Sequence, residues 1–322
     1  MQNTALASSS PWIISKQQDL IWFLGSALLG YMLYALAFPA GGLPAIVFFQ
    51  VSFAIDGPHV YSTATRVLFD RDERKRQRLL FLALVPLCLI GPALLWLGVR
   101  YETFFLLVMV WGQFHISKQH MGFVMIYKRK ARERADFKLD RYFTLVSLLL
   151  PFAYYLSAVI TSRRLLPLFL IPALLFVVYY AAHQLRVTAN IPKLLLLVSV
   201  IPLQWLAWAF AAQDPDSFKR LLAAAAITTT GHGVQYLRLM WLHNSNRYST
   251  QGGLLGIISR NWIFFMLAAL VLSLPQYVPG TTQGGQRIGC AIIGFLMLHY
   301  LLDSKIWRVR NDPELAKALR LV

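Results

Sequence analysis

"FLMLHYLLDSKIWRVR", residues 295–310, closes an apolar segment that runs from 287 to 307 and still keeps His299, Asp303 and Lys305. A segment of that length crosses a hydrocarbon core about 30 Å thick as an α-helix rising 1.5 Å per residue. An ionisable side chain at such depth is costly and implies a function on the bundle interior with a partner nearby. His299 and Asp303 stand at i and i+4, on one helix face.

Similar runs recur. Further spans are expected near 20–38, 43–69, 79–98, 102–127, 142–161, 165–183, 193–212, 218–242 and 260–275. The whole chain of 322 residues is 57% hydrophobic and 14% charged, against about 25% charged in a soluble domain. Its mean hydropathy is +0.53. The expected fold class is all-α: a polytopic transmembrane helical bundle of about ten spans. Residues 1–310 form one transmembrane domain. Residues 311–322 form a short cytoplasmic C-terminal helix, with Asp312 as N-cap and Pro313 at the first helical position.

The net charge of +17 does not point to nucleic acid, because the Lys and Arg residues cluster between spans. "DRDERKRQR" (70–78), "KRKARERADFKLDR" (128–141) and the tail from Lys305 to Arg310 are basic. "PAGGLP", "VRYE", "AQDPDS" and "LPQYVPGTTQGGQ" are poor in net positive charge. Their alternation implies an N-in, C-in topology in a bacterial cytoplasmic membrane, with "SRR" at 162–164 dissenting. The polar start lacks the pattern of a cleaved signal peptide, so the first span is expected to act as an uncleaved insertion signal. Cys88 and Cys290 both lie in apolar segments, which leaves no Cys-rich zinc site or disulfide framework. "DGPHV" places Gly57 and Pro58 inside the second span, so that span is expected to be broken or tilted around a polar cavity.

With this topology every histidine lies on, or at the cytoplasmic end of, a span running outside to inside. His59 precedes Asp70 by 11 residues, His115 and His120 precede Lys128 by 13 and 8, His232 precedes His243 by 11, and His299 precedes Arg308 by 9. Those offsets put the imidazoles roughly 12–20 Å below the boundary, in one layer. Asp56 with His59, His115 with Gln119, and His232 with Gln235 repeat the one-face spacing of His299 with Asp303.

Imidazole with carboxylate suits iron, zinc, copper or manganese. The candidate metal ligands are His59, His115, His120, His232, His299 and Asp303, serving one ion or two. Asp56 and Asp303 are the candidate catalytic carboxylates, ligating or orienting. Gln119 and Gln235 are candidates to support the imidazoles from behind. His120 is five residues past His115, about 140° round the helix, so both reach one centre only if the helix distorts or the centre has two metals. His183 and His243 sit near helix ends and need no special role. The bland alternative for any one intramembrane histidine is a satisfied structural residue. For "TTTGHGVQY" (228–236) it is ordinary small-residue packing, and for Arg66, Lys118 and Arg238 it is snorkelling or pairing rather than an anionic ligand.

Through "DGPHV" and "HYLLD" the chain resembles the Brp/Blh family of membrane carotenoid-cleaving iron dioxygenases. That resemblance implies oxidative cleavage of a carotenoid at an iron held by histidines, here His59, His115, His232 and His299. The HxxxH and HxxHH boxes of membrane desaturases and hydroxylases are absent, as is the HExxH of zinc proteases. The expected activity is therefore a membrane metal-dependent oxidoreductase, with non-haem iron oxidising a lipid, isoprenoid or other hydrophobic substrate and an electron-donor protein as possible partner. The competing classes are a haem-binding electron carrier and a proton-coupled transporter using the same His and Asp as a relay.

Overall fold

Ser15 starts the first helix by accepting from the Gln18 N–H at 3.3 Å. The apolar sequence behind it then stays helical through Lys16–Ala40 (α1) until Gly41, at φ 64°, supplies the left-handed stop. The structure is a computed structural model that describes residues 10–161, 163, 165–187, 189–277 and 283–321. All regular structure among these residues is helical.

After α1 come Ala45–Val51 (α2), Gly57–Val67 (α3), Arg71–Arg76 (α4) and Arg78–Trp96 (α5). Tyr101–Lys130 (α6), Phe137–Thr161 (α7), Leu166–Gln184 (α8), Ile191–Ala211 (α9) and Phe218–Tyr248 (α10) follow. The chain ends with Gly253–Arg260 (α11), Trp262–Ser273 (α12), Gln283–Ile306 (α13) and Pro313–Ala318 (α14).

Six helices are long and apolar enough to cross a membrane, or seven if the pair α11 and Trp262–Tyr277, bent by 118°, forms one span. The protein is an integral membrane protein. The count falls short of the ten expected for a physical reason. The three segments outside it, α2–α3, α6 and α10, carry His59, His115 and His120, and His232, together with other polar residues that lower their hydropathy. Helices α6 and α10 nevertheless have 30 and 31 residues, and a helix of that size extends about 45 Å. The dissenting "SRR" lies largely outside the described residues, as do the first nine residues and 278–282.

The second segment is not broken. A π-turn at Ser52–Asp56 joins α2 to α3, and the Gly57 N–H reaches back to the Ser52 carbonyl. Pro58 has no N–H to give the next turn, and the wider turn absorbs that loss. The Tyr277 hydroxyl also donates to the Ser52 carbonyl, at 2.8 Å.

Helix α10 is the centre of the bundle and packs against α1, α3, α6 and α9. Its small residues permit this. A Cβ on Gly233 would stand 2.9 Å from Ile55 Cγ2 and 3.4 Å from His59 Cβ, so the backbone of α10 lies directly against His59. By contrast, the outer helices bury little. In α8 only Ala173, Tyr180 and Gln184 are buried, with Phe169 and Phe176 packed partly against the core, and most of its other apolar surface faces outward, as lipid requires. The tail helix α14 is capped by Asp312, which accepts from the Leu315 N–H. Its Leu315 and Leu319 join the core beneath Phe123 and Tyr127.

Candidate metal centre

Four helices deliver one imidazole each to a single point. His59 comes from α3, His115 from α6, His232 from α10 and His299 from α13, and all four are buried. His59 Nε2 lies 3.1 Å from His232 Nε2 and 3.1 Å from His299 Nε2. One ligand atom from each of His59, His115 and His299 falls within 4.8 Å of the others. The His115 ring centroid lies 5.1 Å from that of His232 and 5.0 Å from that of His299.

His59 Nε2 carries either one hydrogen or one lone pair, and two further Nε2 atoms approach it at the same distance. With the Nδ1 hydrogens of His59 and His299 turned outward, to the Asp56 carbonyl and Thr63 Oγ1, the inner lone pairs of these two rings face each other with no hydrogen between them. In addition, His115 Nε2 and His232 Nδ1 are buried without a hydrogen-bond partner, which native interiors seldom tolerate. Nitrogens about 2.1 Å from a common ion would stand about 3.0 Å apart at an octahedral edge and about 3.4 Å at a tetrahedral one. The spacing of 3.1 Å from His59 Nε2 to His232 and His299 lies in that interval, so these three donors fit a transition metal, with His115 within 4.8 Å of His59 and His299.

The outward nitrogens are held as ligating histidines require. His59 Nδ1 faces the Asp56 carbonyl at 3.3 Å. His299 Nδ1 lies 2.8 Å from Thr63 Oγ1, which lies 2.7 Å from the Tyr236 hydroxyl, which donates to Asp303 Oδ1 at 2.7 Å. Because the single Tyr236 hydroxyl hydrogen goes to Asp303, the chain runs one way: His299 Nδ1–H to Thr63, Thr63 to Tyr236, Tyr236 to Asp303. The His299 tautomer is thereby fixed, with the Nε2 lone pair turned inward. The other oxygen, Asp303 Oδ2, faces His115 Nε2 at 3.9 Å.

The remaining candidate residues lie further out. His120 directs Nδ1 at the Ile116 carbonyl, 2.9 Å away, and its ring centroid is 6.3 Å from that of His232. It is a neighbour of the four-imidazole cluster and stands outside it, as its angular offset from His115 implies. The Asp56 carboxylate lies behind His59, 4.0 Å from Nδ1 and partly exposed, with Gln276 at 3.5 Å. It is on the wrong side of the ring to share an ion with Nε2. Gln119 donates to the His232 carbonyl at 3.0 Å and so ties α6 to α10. Gln235 is turned away from the cluster and donates to the Phe23 carbonyl at 2.6 Å. His243 packs by Tyr248 and Trp307, and His183 pairs with Asp136 at 2.8 Å. Arg66 is matched by Asp312 and Glu73, at 3.4 and 3.8 Å. Arg238 stacks on Trp241 and bonds Gln18.

Thr63, Tyr236 and Tyr300 are the members of the site that sequence reasoning passed over. The signal was there: Thr63 is four residues past His59, and Tyr236 four past His232, the same step that joins His299 to Asp303. Tyr300 stacks on the His115 ring at 4.5 Å.

A cavity of about 550 Å³ opens beside the cluster and reaches His115, Tyr236, Tyr300 and Asp303. Most of its other walls are apolar or aromatic, including Trp111, Phe123, Met125 and Leu301. The centre is therefore accessible from one side.

No protein-family model matches the chain, and no curated protein or solved structure matches it.

Proposed function

We propose that the protein is a membrane-embedded, metal-dependent oxidoreductase whose non-haem iron is held by His59, His115, His232 and His299. The observation that carries this reading is the pair of 3.1 Å contacts that His59 Nε2 makes with two other imidazole nitrogens. Iron in such a set supplies the redox chemistry that oxygenation, desaturation or cleavage of an unactivated hydrocarbon needs.

The protein's own groups have separate tasks. The Asp56 carbonyl and the Thr63–Tyr236–Asp303 chain hold His59 and His299 in the tautomer that leaves Nε2 free. Asp303 places its Oδ2 on the His115 side, and Tyr300 stacks on His115 to fix the ring. The cavity receives a hydrophobic substrate against His115. Hydroxylation or desaturation takes its reducing equivalents from a donor protein, whereas a cleaving dioxygenase needs dioxygen alone. The likeness of "DGPHV" and "HYLLD" to the carotenoid-cleaving enzymes belongs to this reading. So does the topology of about ten spans with both ends inside, since α2–α3, α6 and α10 are long enough to count once their polar faces turn inward.

Haem is disfavoured by size. Axial imidazoles about 2 Å either side of an iron stand about 4 Å apart with the macrocycle between them, and 3.1 Å leaves no room for it. A proton-coupled carrier is the second reading, favoured by the one-way chain from His299 to Asp303. Elemental analysis and a visible spectrum of the purified protein test the assignment. Stoichiometric iron without a Soret band, and activity lost on chelation and regained with iron rather than zinc or copper, are expected. An active protein free of stoichiometric metal refutes it.

A further inference from the structure

The cavity beside the centre is walled mainly by apolar groups, yet Lys118, Arg129 and Arg308 also line it. None of the three has a carboxylate partner among the described residues. Lys118 instead feels the like charges of Arg308 and Arg141, and the Arg308 Nε–H donates to the Ser304 carbonyl at 2.7 Å, leaving its terminal nitrogens free. Lys118 is half-buried and Arg129 and Arg308 are exposed, so the three cations stand from the cavity wall to its rim. Like charges gathered at an apolar chamber repel one another, and a bound anion relieves them.

Helix periodicity explains how the two chemistries meet. His115, Lys118, Gly122, Met125 and Arg129 recur every three or four residues of α6, so imidazole, ammonium and guanidinium share one stripe with methionine between them. Lys118 is about one turn, or 4.5 Å, from His115 along the axis. On α13 and just beyond it, Asp303, Ser304 and Arg308 bound the same cavity from the opposite side.

We propose that this cavity takes an amphiphile with an anionic head group, a carboxylate or a phosphate, whose anion sits between Lys118 and Arg308 while its apolar chain lies beside His115. The inference rests on reading the cavity as the substrate chamber of the histidine centre. It narrows the substrate from any hydrophobic molecule to an acidic lipid.

Quenching of tryptophan fluorescence tests it, because Trp111 and Trp307 line the cavity. The full chain, chelator-treated and in zwitterionic nanodiscs, is titrated with a brominated fatty acid, a brominated alkyl phosphate and the matching fatty alcohol. Both acids are expected to bind at least about tenfold more tightly than the alcohol, the factor that one charge-assisted hydrogen bond supplies. The double variant Lys118→Gln, Arg308→Gln should lower acid affinity to the alcohol's level, leave alcohol binding unchanged and retain wild-type metal content. Lys305→Gln, outside the cavity, should keep the preference. Equal binding of acid and alcohol to the wild type overturns the proposal, as does an acid preference that survives in the double variant. Displacement of the brominated acid by inorganic phosphate alone identifies a free-anion site and also overturns it. Quenching that grows with anionic bilayer lipid without saturating identifies an annular surface and overturns it likewise. The binding is measured without metal, so absence of metal from untreated protein refutes the iron assignment separately from this one.

Discussion

Two buried polar clusters can be compared directly, and they differ in whether their charged and ring groups are closed; in the first only the neutral Gln184 Nε2 lacks a partner. The first lies where α6, α7, α8 and α9 meet at the basic-loop face. Lys128 Nζ bonds Glu133 Oε1 and the Ala135 carbonyl, each at 2.6 Å, and also Asp140. Lys193 Nζ bonds Glu133 Oε1 at 2.8 Å, and Asp140 Oδ1 and Gln184 Oε1 at 3.1 Å. Each ammonium thus uses all three of its hydrogens, and two cations face two carboxylates. The second cluster is the set of four imidazoles, where lone pairs converge and two ring nitrogens have no partner. A closed cluster is architecture. An open one of the same burial is a place for something that brings positive charge and accepts several lone pairs.

The largest effect should come from opening the closed cluster. Removing one partner strands a buried charge, so Lys193→Met or Asp140→Asn is expected to cost about 3–5 kcal/mol, read as a large drop in detergent-solution Tm. The fraction that still folds should carry wild-type metal. If these variants lost metal while keeping their Tm, the two clusters would not be independent.

A smaller effect should follow from loosening the support of the open one. Tyr236→Phe or Thr63→Val cuts the chain between Asp303 and His299, and metal affinity should fall about 10–100-fold, measured by competition with a chelator. Thr63→Ser, which keeps the hydroxyl, should restore it. Retention of full affinity in Tyr236→Phe would reduce that chain to packing.

The smallest is a pH effect on the closed cluster. Burial by itself would raise the Glu133 carboxyl, but its bonds to Lys128, Lys193 and Asn190 outweigh that and hold it below its ordinary value of 4.5. A folded value below the unfolded one stabilises the fold above that ordinary value and stops doing so as pH falls through the folded one. Tm should therefore hold steady from neutral pH down to about 5 and decline below about 4.5, with a shallower decline in Glu133→Gln. A decline of the same steepness in Glu133→Gln would assign the acid sensitivity to other carboxylates, such as Asp70. That group is also held below its usual range, where bonds from Tyr248 and two backbone N–H groups outweigh its burial.

The helical membrane character was legible because hydropathy and length report it directly. The meeting of His59, His115, His232 and His299 was legible for a simpler reason: matched distances to basic loops on helices of one direction put side chains at one depth. What depth alone does not encode is azimuth. Gln235, three residues past His232, lies about 60° to one side, and Tyr236, four past, about 40° to the other. The bundle turned Tyr236 inward. Only six or seven helices show as spans by length and apolar composition, because the helices that bury the site are the polar ones. The closed charge cluster was hidden for a different reason. Lys128 and Asp140 belong to a stretch that reads as a solvated basic loop, and only the turn at residues 131–136 folds them onto each other.

The proposed iron centre stands or falls on a count of metal atoms per polypeptide in protein purified without chelators, for the wild type and for His59→Ala. His59 is the imidazole whose Nε2 touches two others. Its loss should take the iron content from near one or two per chain to near zero while α-helical content and elution volume stay unchanged. Equal metal in both proteins, or none in an active wild type, contradicts a shared ion among the four imidazoles.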